Sequence, residues 1–251
     1  VTYEDGIEPT ELFPTRREVK VANEMRLKRL PGRPTIFKAS DDVHDQYMSE
    51  LLDNLVCEKE LELRTGAQVM YLRNLDDEIV NGSMGTVMCF LTARTWERAV
   101  AIYGDIHDVQ NMRSITLAAD LIALGELPGS EVVHEAKTTI PPSRRSKFEE
   151  FFSAVAADLS SEKYPVVKFS LVGGGSRTLL IQREDFTVEL PGRGGAPIKI
   201  TRSQVPLVLS WALLIHKAQG QTIPRLRVNL SKVFESGQVD VALSRVTHTS
   251  T

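Results

Sequence analysis

The 251-residue sequence has little of several residue types, and each scarcity narrows the range of functions. Only two cysteines occur, Cys57 and Cys89, which excludes a disulfide scaffold and fits a reducing compartment. No run of about 18 apolar residues is found, so we predict neither a membrane-spanning helix nor a membrane partner. The net charge of −3 gives no basic field over the whole protein, so any nucleic-acid contact must come from local grooves.

Motifs for phosphate and metal binding are missing as well. The Gly-x-x-x-x-Gly-Lys-Ser/Thr pattern of a phosphate loop does not occur, and Gly173-Gly174-Gly175 is interpreted as a hairpin tip. Acidic residues crowd the stretch 40–62 without the spacing of a metal site, so we interpret it as a solvated helix or loop and predict no metal ligand. Because no methionine begins the chain, we expect it to be a piece of a longer protein.

What the sequence does contain is typical of a folded α/β protein. Hydrophobic residues make up 42% and charged residues 25%, enough for a core in one large domain or two small ones. Residues 11–13 predict a strand, and Thr15 and Glu18 have the capping-box spacing that begins a helix. Asn81-Gly82 predicts a hairpin turn. From residue 164 onward, alternating apolar residues between Gly and Pro turns predict the short strands of a small barrel.

The stretch 91–163 is the least regular, and we expect it to be a helical insert. Phe148, Phe151 and Phe152 recur at helical spacing, which favours core packing over stacking on nucleic-acid bases. Pro141-Pro142-Ser143 is interpreted as a linker.

The most informative segment is SWALLIHKAQGQT, residues 210–222. Trp211, Leu214 and Ile215 recur at the spacing of one buried helix face, so we predict a helix that runs into a polar turn. One interpretation is a helix with a polar end closed by glycine. The other is a group of side chains held toward an anionic ligand. The polar turn contains His216, Lys217, Gln219, Gly220, Gln221 and Thr222.

A second segment, FESGQVDVALSR at residues 234–245, predicts a helix that a glycine starts and Arg245 ends. Between the two segments, residues 226–230 alternate as a half-buried strand. WALLIHKAQGQT followed by FESGQVDVALSR resembles motifs V and VI of superfamily-one DNA helicases of the PIF (petite integration frequency) type, which are relatives of RecD. ELFPTRREVKVANEMRLKRL resembles the start of the second RecA-like domain of that family. GAQVMYLRNLDDEIVNGSMGTVM is similar to the point where their chain enters an inserted small barrel.

The resemblance implies an α/β fold with two parts. A second RecA-like domain of the P-loop NTPase type would comprise residues 1–80 and 203–251. A β-rich subdomain within 81–202 would contain a small β-barrel similar to the Src-homology-three fold, with the helical insert inside it.

The resemblance also implies a site. In such motors ATP and Mg²⁺ bind between two RecA-like domains, and the first domain supplies the phosphate loop. That loop is missing here, so we expect the piece alone to be inactive. Arg245 corresponds to the arginine finger, whose guanidinium stabilises the transferring phosphoryl group. The implied nucleotide contacts are Gly220, Gln219 and Lys217, and the implied DNA contacts are His216, Thr222, Thr15, Asn23 and Asn74.

For the intact protein, the resemblance implies an ATP-dependent, five-prime to three-prime DNA helicase. Its expected partners are single-stranded, forked and G-quadruplex DNA, and its expected roles are DNA repair, recombination and telomere maintenance. We expect a monomer in the nucleus, the mitochondrion or both. Asp240 stands where the family usually has an aromatic residue; it would either pair with Arg245 or face solvent. Two alternatives stay open, a catalytically inactive DNA-binding fragment or paralogue and the helicase part of a rolling-circle transposase.

Overall fold

The computed structural model describes residues 3, 5–43, 46–160, 162–171, 173–191, 197–215, 223 and 225–228. These residues contain both strands and helices, including a parallel sheet, which confirms the α/β class. The strands are β1 (Thr10–Phe13), β2 (Thr35–Lys38), β3 (Ser40–Asp42), β4 (Glu60–Leu63), β5 (Gln68–Tyr71), β6 (Met84–Leu91), β7 (Tyr164–Ser170), β8 (Ser176–Leu180), β9 (Glu184–Leu190), β10 (Ile198–Gln204), β11 (Leu207–Leu209), β12 (Ala212–Leu214) and β13 (Leu226–Val228). The helices are α1 (Arg16–Lys28), α2 (Gln46–Leu52), α3 (Ala93–Tyr103), α4 (Val109–Ala123), α5 (Glu131–Thr138) and α6 (Arg145–Ala157). Over the described ranges, no helix has both the length and the apolar character needed to cross a bilayer.

A parallel sheet joins strands that are far apart in the sequence. Its order is β12-β1-β13, with Leu12 opposite Leu213 on one side and Val228 on the other. α1 follows β1 directly and packs on the sheet through the buried Leu27. The predictions of a strand at 11–13 and of a strand beginning at 226 are confirmed.

The predicted helix around Trp211 is wrong, because Ala212–Leu214 is strand β12. Every residue from Ser210 to Ile215 is buried, so this segment has no exposed face. Its burial pattern therefore shows neither the spacing of a half-exposed helix nor the alternation of a half-exposed strand. A short apolar run of this kind is typical of a parallel strand covered on both faces, and spacing alone does not distinguish it from a buried helix.

Antiparallel pairings join β5 to β6 and to β11, and β10 to β3 and to β9. A five-stranded sheet has the order β11-β5-β6-β7-β8, and a three-stranded sheet has the order β3-β10-β9. The hairpin between β5 and β6 is confirmed, with Gly82 at a φ of 102° that favours glycine. The triple glycine lies at the β7–β8 hairpin tip, as predicted. In the described residues these strands form open sheets, and no closed barrel is found.

The chain divides into two compact units. The first comprises Val1–Val87, Phe169–Gly175 and Gln182–Thr251, and the second comprises Met88–Lys168 and Ser176–Ile181. The second unit contains α3 to α6 around a core of its own.

Aromatic side chains fill the core of the second unit, so their predicted packing role is confirmed. Phe148 stacks on Phe152 with ring centroids 5.8 Å apart, and Phe151 meets Tyr103 edge to face at 5.8 Å. The linker predicted at 141–143 is wrong. Pro142–Arg144 forms a 3-10 turn that continues into α6, and Arg144 pairs with Asp108.

A buried guanidinium group joins several segments of the first unit by hydrogen bonds and ion pairs. Arg202 on β10 is 1% exposed, and its Nε and Nη2 donate to the two carboxylate oxygens of Asp41 at 2.8 and 2.9 Å. Nη2 also donates to Asp53 Oδ1 at 2.9 Å, and Nη1 donates to the Leu52 carbonyl at 3.1 Å. The acidic stretch is therefore not simply a solvated surface. Two of its carboxylates neutralise a buried cation whose burial would otherwise be costly.

Replacing Arg202 by methionine should lower the free energy of unfolding by about 3 kcal/mol, because removing one member of a buried ion pair leaves the other charge uncompensated. The matched control is Lys199→Met on the same strand. Lys199 pairs with Glu189 at 3.1 Å where both side chains are exposed, so its loss should cost less than about 1 kcal/mol. Urea unfolding of the two variants measures the difference, and equal losses would refute the role given to Arg202.

The same pair predicts a pH dependence. The hydrogen bond from Arg202 holds the pKa of Asp41 below its ordinary value of 3.8. A carboxyl with a lowered folded-state pKa stabilises the fold above its unfolded-state pKa, and the contribution is lost as the pH falls through the folded-state pKa. The stability gap between the natural chain and Arg202→Met should therefore be constant near neutral pH and shrink below 3.8, as urea unfolding across that range will show.

Candidate functional site

The candidate site lies at one edge of the parallel sheet. β1 and β12 run in the same direction with Phe13 opposite Leu214, so their carboxyl ends share an edge. Thr15 comes just after the end of β1, and the sequence of β12 continues through Ile215 into residues 216–222. Ligands of open α/β sheets bind outside the carboxyl ends of the strands, so this edge is the expected place for a nucleotide or nucleic-acid contact.

Thr15 is the N-cap of α1. Its Oγ1 accepts a hydrogen bond from the backbone N–H of Glu18 at 3.3 Å and donates to the Glu18 carboxylate at 2.8 Å. The predicted capping contact is thus confirmed, and the residue is exposed. The Glu18 carboxylate therefore lies at the amino end of α1, where the helix dipole favours negative charge.

Asn23 lies on the buried side of α1, 6% exposed. Its Oδ1 accepts from the Ala212 backbone N–H at 2.9 Å, and its Nδ2 donates to the Ala212 carbonyl at 2.9 Å. One amide therefore satisfies both backbone groups of the first residue of β12. This geometry fixes the strand that leads into the segment 216–222.

Asn74 lies in the turn between β5 and β6. Its Oδ1 accepts from the backbone N–H of Asn81 at 2.8 Å, which closes the loop across its base. Inside the loop, Asp76 Oδ1 accepts from the N–H groups of Glu78 and Ile79 at 3.0 and 2.9 Å. The structure thus places Asn74 in a loop that is closed by its own hydrogen bonds, and not in the β1–α1 region with Thr15 and Asn23.

The remaining predicted site residues lie outside the described residues, as does Asp240. They are His216, Lys217, Gln219, Gly220, Thr222 and Arg245. Among the residues that the structure does describe, no group of three or more His, Cys, Asp or Glu side chains is arranged to hold a metal ion.

Two polar residues at the amino ends of β1 and β12 have roles that the sequence did not reveal. Gln68 on β5 is 3% exposed and bonds to backbone groups of Glu8 and Ser210. Thr10 at the start of β1 is fully buried, and its Oγ1 donates to the Ser210 carbonyl at 2.8 Å. The available signal was a polar residue inside an apolar strand sequence, since buried polar groups need hydrogen-bond partners.

Comparison with known proteins gives a consistent result. A family model described as "DNA helicase Pif1, 2B domain" matches residues 46–90. The chain is 39% identical to the ATP-dependent DNA helicase RRM3 of Saccharomyces cerevisiae, over 98% of this chain and 34% of that protein. It is 37% identical to the ATP-dependent DNA helicase PIF1 of Emericella nidulans, over 98% of this chain and 30% of that protein.

Among solved structures, the Pif1 helicase of Candida albicans superposes with a TM-score of 0.62 at 30% sequence identity, covering 97% of this chain and 44% of that one. The chain spans about a third of the length of the curated relatives given above. Similarity that runs along nearly the whole chain, in sequence and in fold, shows that the protein belongs to the Pif1 family of DNA helicases.

Proposed function

We propose that the intact protein is an ATP-dependent DNA helicase that moves five-prime to three-prime, and that this chain is its carboxyl-terminal part. The observation that carries the proposal is the identity of 39% to a protein named as an ATP-dependent DNA helicase, extending over 98% of the chain. The five-prime to three-prime direction is what the family resemblance implies. The parallel sheet supports it, because its carboxyl edge is where the nucleotide-facing segments of such a motor would begin.

In this proposal the polar turn at 216–222 and the segment at 234–245, which lie outside the described residues, complete an ATP site. Lys217, Gln219 and Gly220 contact the nucleotide, and the Arg245 guanidinium reaches the γ-phosphate and stabilises the charge of phosphoryl transfer. A phosphate loop from a preceding RecA-like domain would hold ATP and Mg²⁺. Closing and opening of the cleft between the domains would then move single-stranded DNA by steps.

DNA contacts would lie along the same edge. Thr15 is exposed at the amino end of α1, where a backbone phosphate would compete with the Glu18 carboxylate for its hydroxyl. His216 and Thr222 follow β12 in the sequence. Asn23 would act by holding β12 in place rather than by touching DNA, because its amide already bonds to the backbone of Ala212. Asn74 would support a separate contact through the loop that it closes.

The finer architecture is part of the proposal. Residues 1–80 and 203–251 would form the second RecA-like domain, and the strands within 81–202 would derive from a small barrel similar to the Src-homology-three fold, opened to admit the helices. Forked and G-quadruplex DNA would be substrates of a monomeric enzyme in the nucleus or mitochondrion, acting in repair, recombination and telomere maintenance.

The chain as given should show no ATP turnover above buffer, with or without single-stranded DNA, because the phosphate-binding loop is missing from its sequence. A steady-state ATPase assay decides this. The intact protein is the positive control, and its turnover should rise when DNA is added. DNA-stimulated turnover by the chain alone would mean that it is not half of a two-domain motor.

Substituting leucine for Asn23 should lower the free energy of unfolding by about 1–3 kcal/mol, since both backbone groups of Ala212 lose their buried partner. The exposed Asn74→Ala is the control and should cost less than about 1 kcal/mol. Thermal unfolding measures stability, and a fluorescence titration measures affinity for single-stranded DNA. A tenfold loss of affinity without a loss of stability would instead make Asn23 a direct DNA contact.

In the intact protein, Arg245→Ala should lower DNA-stimulated ATP turnover by about 10³-fold while DNA affinity is kept, because the lost guanidinium stabilises the transition state. Arg245→Lys should recover little, since a point charge does not reproduce the planar fork. Turnover at saturating DNA is measured beside single-stranded DNA binding. Near-normal turnover of the alanine variant would remove Arg245 from the site and favour an Arg245–Asp240 surface pair.

A further inference from the structure

The connection between α4 and α5 exposes apolar side chains to solvent. Leu124 is 65% exposed, Leu127 is 68% exposed and Val132 is 48% exposed, and Pro128 is exposed as well. Single exposed apolar residues are common on protein surfaces, whereas several within one short stretch indicate a surface that contacts another molecule. We call residues 120–135 the α4–α5 corner.

The backbone of the corner is held in place by its own hydrogen bonds. Gly125 follows the end of α4 at a φ of 91°, and the next N–H, of Glu126, donates to the Leu121 carbonyl at 3.0 Å. Ser130 caps α5, because its Oγ accepts from the Val133 N–H at 3.3 Å. Leu121 and Val133 are buried in the core of the second unit. The turn is therefore ordered before any partner arrives, and binding would cost little conformational entropy.

The charged residues of the corner all have the same sign. Residues 120–135 include Asp120, Glu126, Glu131 and Glu135, and neither lysine nor arginine occurs among them. Carboxylates repel the phosphates of nucleic acids, so this charge favours a protein partner over a DNA contact.

Other carboxylates of the same unit have cations beside them, and those of the corner do not. Glu149 pairs with Lys137, and Glu150 pairs with Arg98 at 3.5 Å. Within the part of the chain that the structure describes, no lysine or arginine forms an ion pair with an acidic side chain of the corner. Burial raises the pKa of Asp120 above its ordinary value of 3.8, and no cation opposes this shift. A positively charged partner would supply the counter-charge.

We propose that the α4–α5 corner binds a partner protein through a basic amphipathic segment. The apolar side of that segment would contact Leu124, Leu127 and Val132, and its lysine and arginine side chains would face the surrounding carboxylates. Apolar burial would supply affinity, and charge would select the partner. A second copy of this chain fits less well, because equal corners would bring carboxylates together. None of the residues proposed to contact ATP or DNA lies in the corner, so the proposal does not rest on the proposed function.

The test measures binding of three fluorescein-labelled synthetic peptides to the full-length protein by fluorescence anisotropy, without ATP or nucleic acid. The first is an amphipathic helix of leucine and lysine, about 14 residues long. The second has glutamate in place of lysine, and the third has serine in place of leucine. The leucine–lysine peptide should bind at least about tenfold more tightly than either of the others, and its binding should weaken as salt is added.

Two pairs of substitutions locate the binding surface. Leu124→Ser with Leu127→Ser should weaken binding of the leucine–lysine peptide by about tenfold or more, because apolar contact area is lost. Glu131→Gln with Glu135→Gln should weaken it by about threefold and reduce its salt dependence. The matched control is Val109→Ser, which removes a 69% exposed side chain at the other end of α4 and should leave the affinity unchanged. Melting temperatures should change by less than about 3 °C, since every substituted side chain is exposed.

Absence of binding, equal binding of the glutamate peptide, or a leucine–lysine affinity that both pairs of substitutions leave unchanged would overturn the proposal. Self-association of the natural protein that Leu124→Ser with Leu127→Ser abolishes, measured by sedimentation, would overturn it too and assign the corner to a second copy. DNA-stimulated ATP turnover is measured in the same preparations and should be the same in all of them. A natural protein without such turnover would refute the proposed function and leave the peptide result standing.

Discussion

The first unit depends on one constraint, that a polar group taken out of water must find a hydrogen-bond partner. Asn23, Gln68, Arg202 and Gln204 are all nearly inaccessible, and each bonds backbone groups that are distant in the sequence. An apolar contact tolerates small slides, whereas these bonds are lost when a segment shifts, at about 1–3 kcal/mol for each group left unpaired. Polar side chains, more than apolar area, therefore define how the loops and short strands fit together.

The features that the sequence predicted correctly are the local ones. Thr15 caps a helix because its hydroxyl reaches an N–H three residues away, and Asn81-Gly82 turns because glycine adopts a positive φ without strain. The helix around Phe151 is also a local feature, because the spacing of its aromatic residues along the sequence predicts it. In the candidate site, the sequence correctly predicted that Thr15 begins α1 and that Asn23 lies on this helix, while their roles as DNA contacts stay predictions.

The features that it did not predict depend on partners far along the chain. The apolar sequence around Leu213 fits a buried helix and a buried strand equally well, and only its pairing with β1 identifies the strand. Asp41 reads as a solvated carboxylate until Arg202, from the other end of the chain, is placed against it. Asn23 has a polar amide of the kind that binds ligands. Only the position of Ala212 shows that this amide is already hydrogen-bonded to the backbone.

The connection between β6 and β7 has a consequence of its own for the stability of the sheet. Helices α3 to α6 lie between β6 and β7 in the chain, and these two strands are hydrogen-bonded neighbours in one sheet, about 4.8 Å apart. The entropy of closing a longer or shorter connection between fixed points changes slowly with its length. A change in the length of the helical connection should therefore cost little free energy and leave the register of β5 on β6 unchanged.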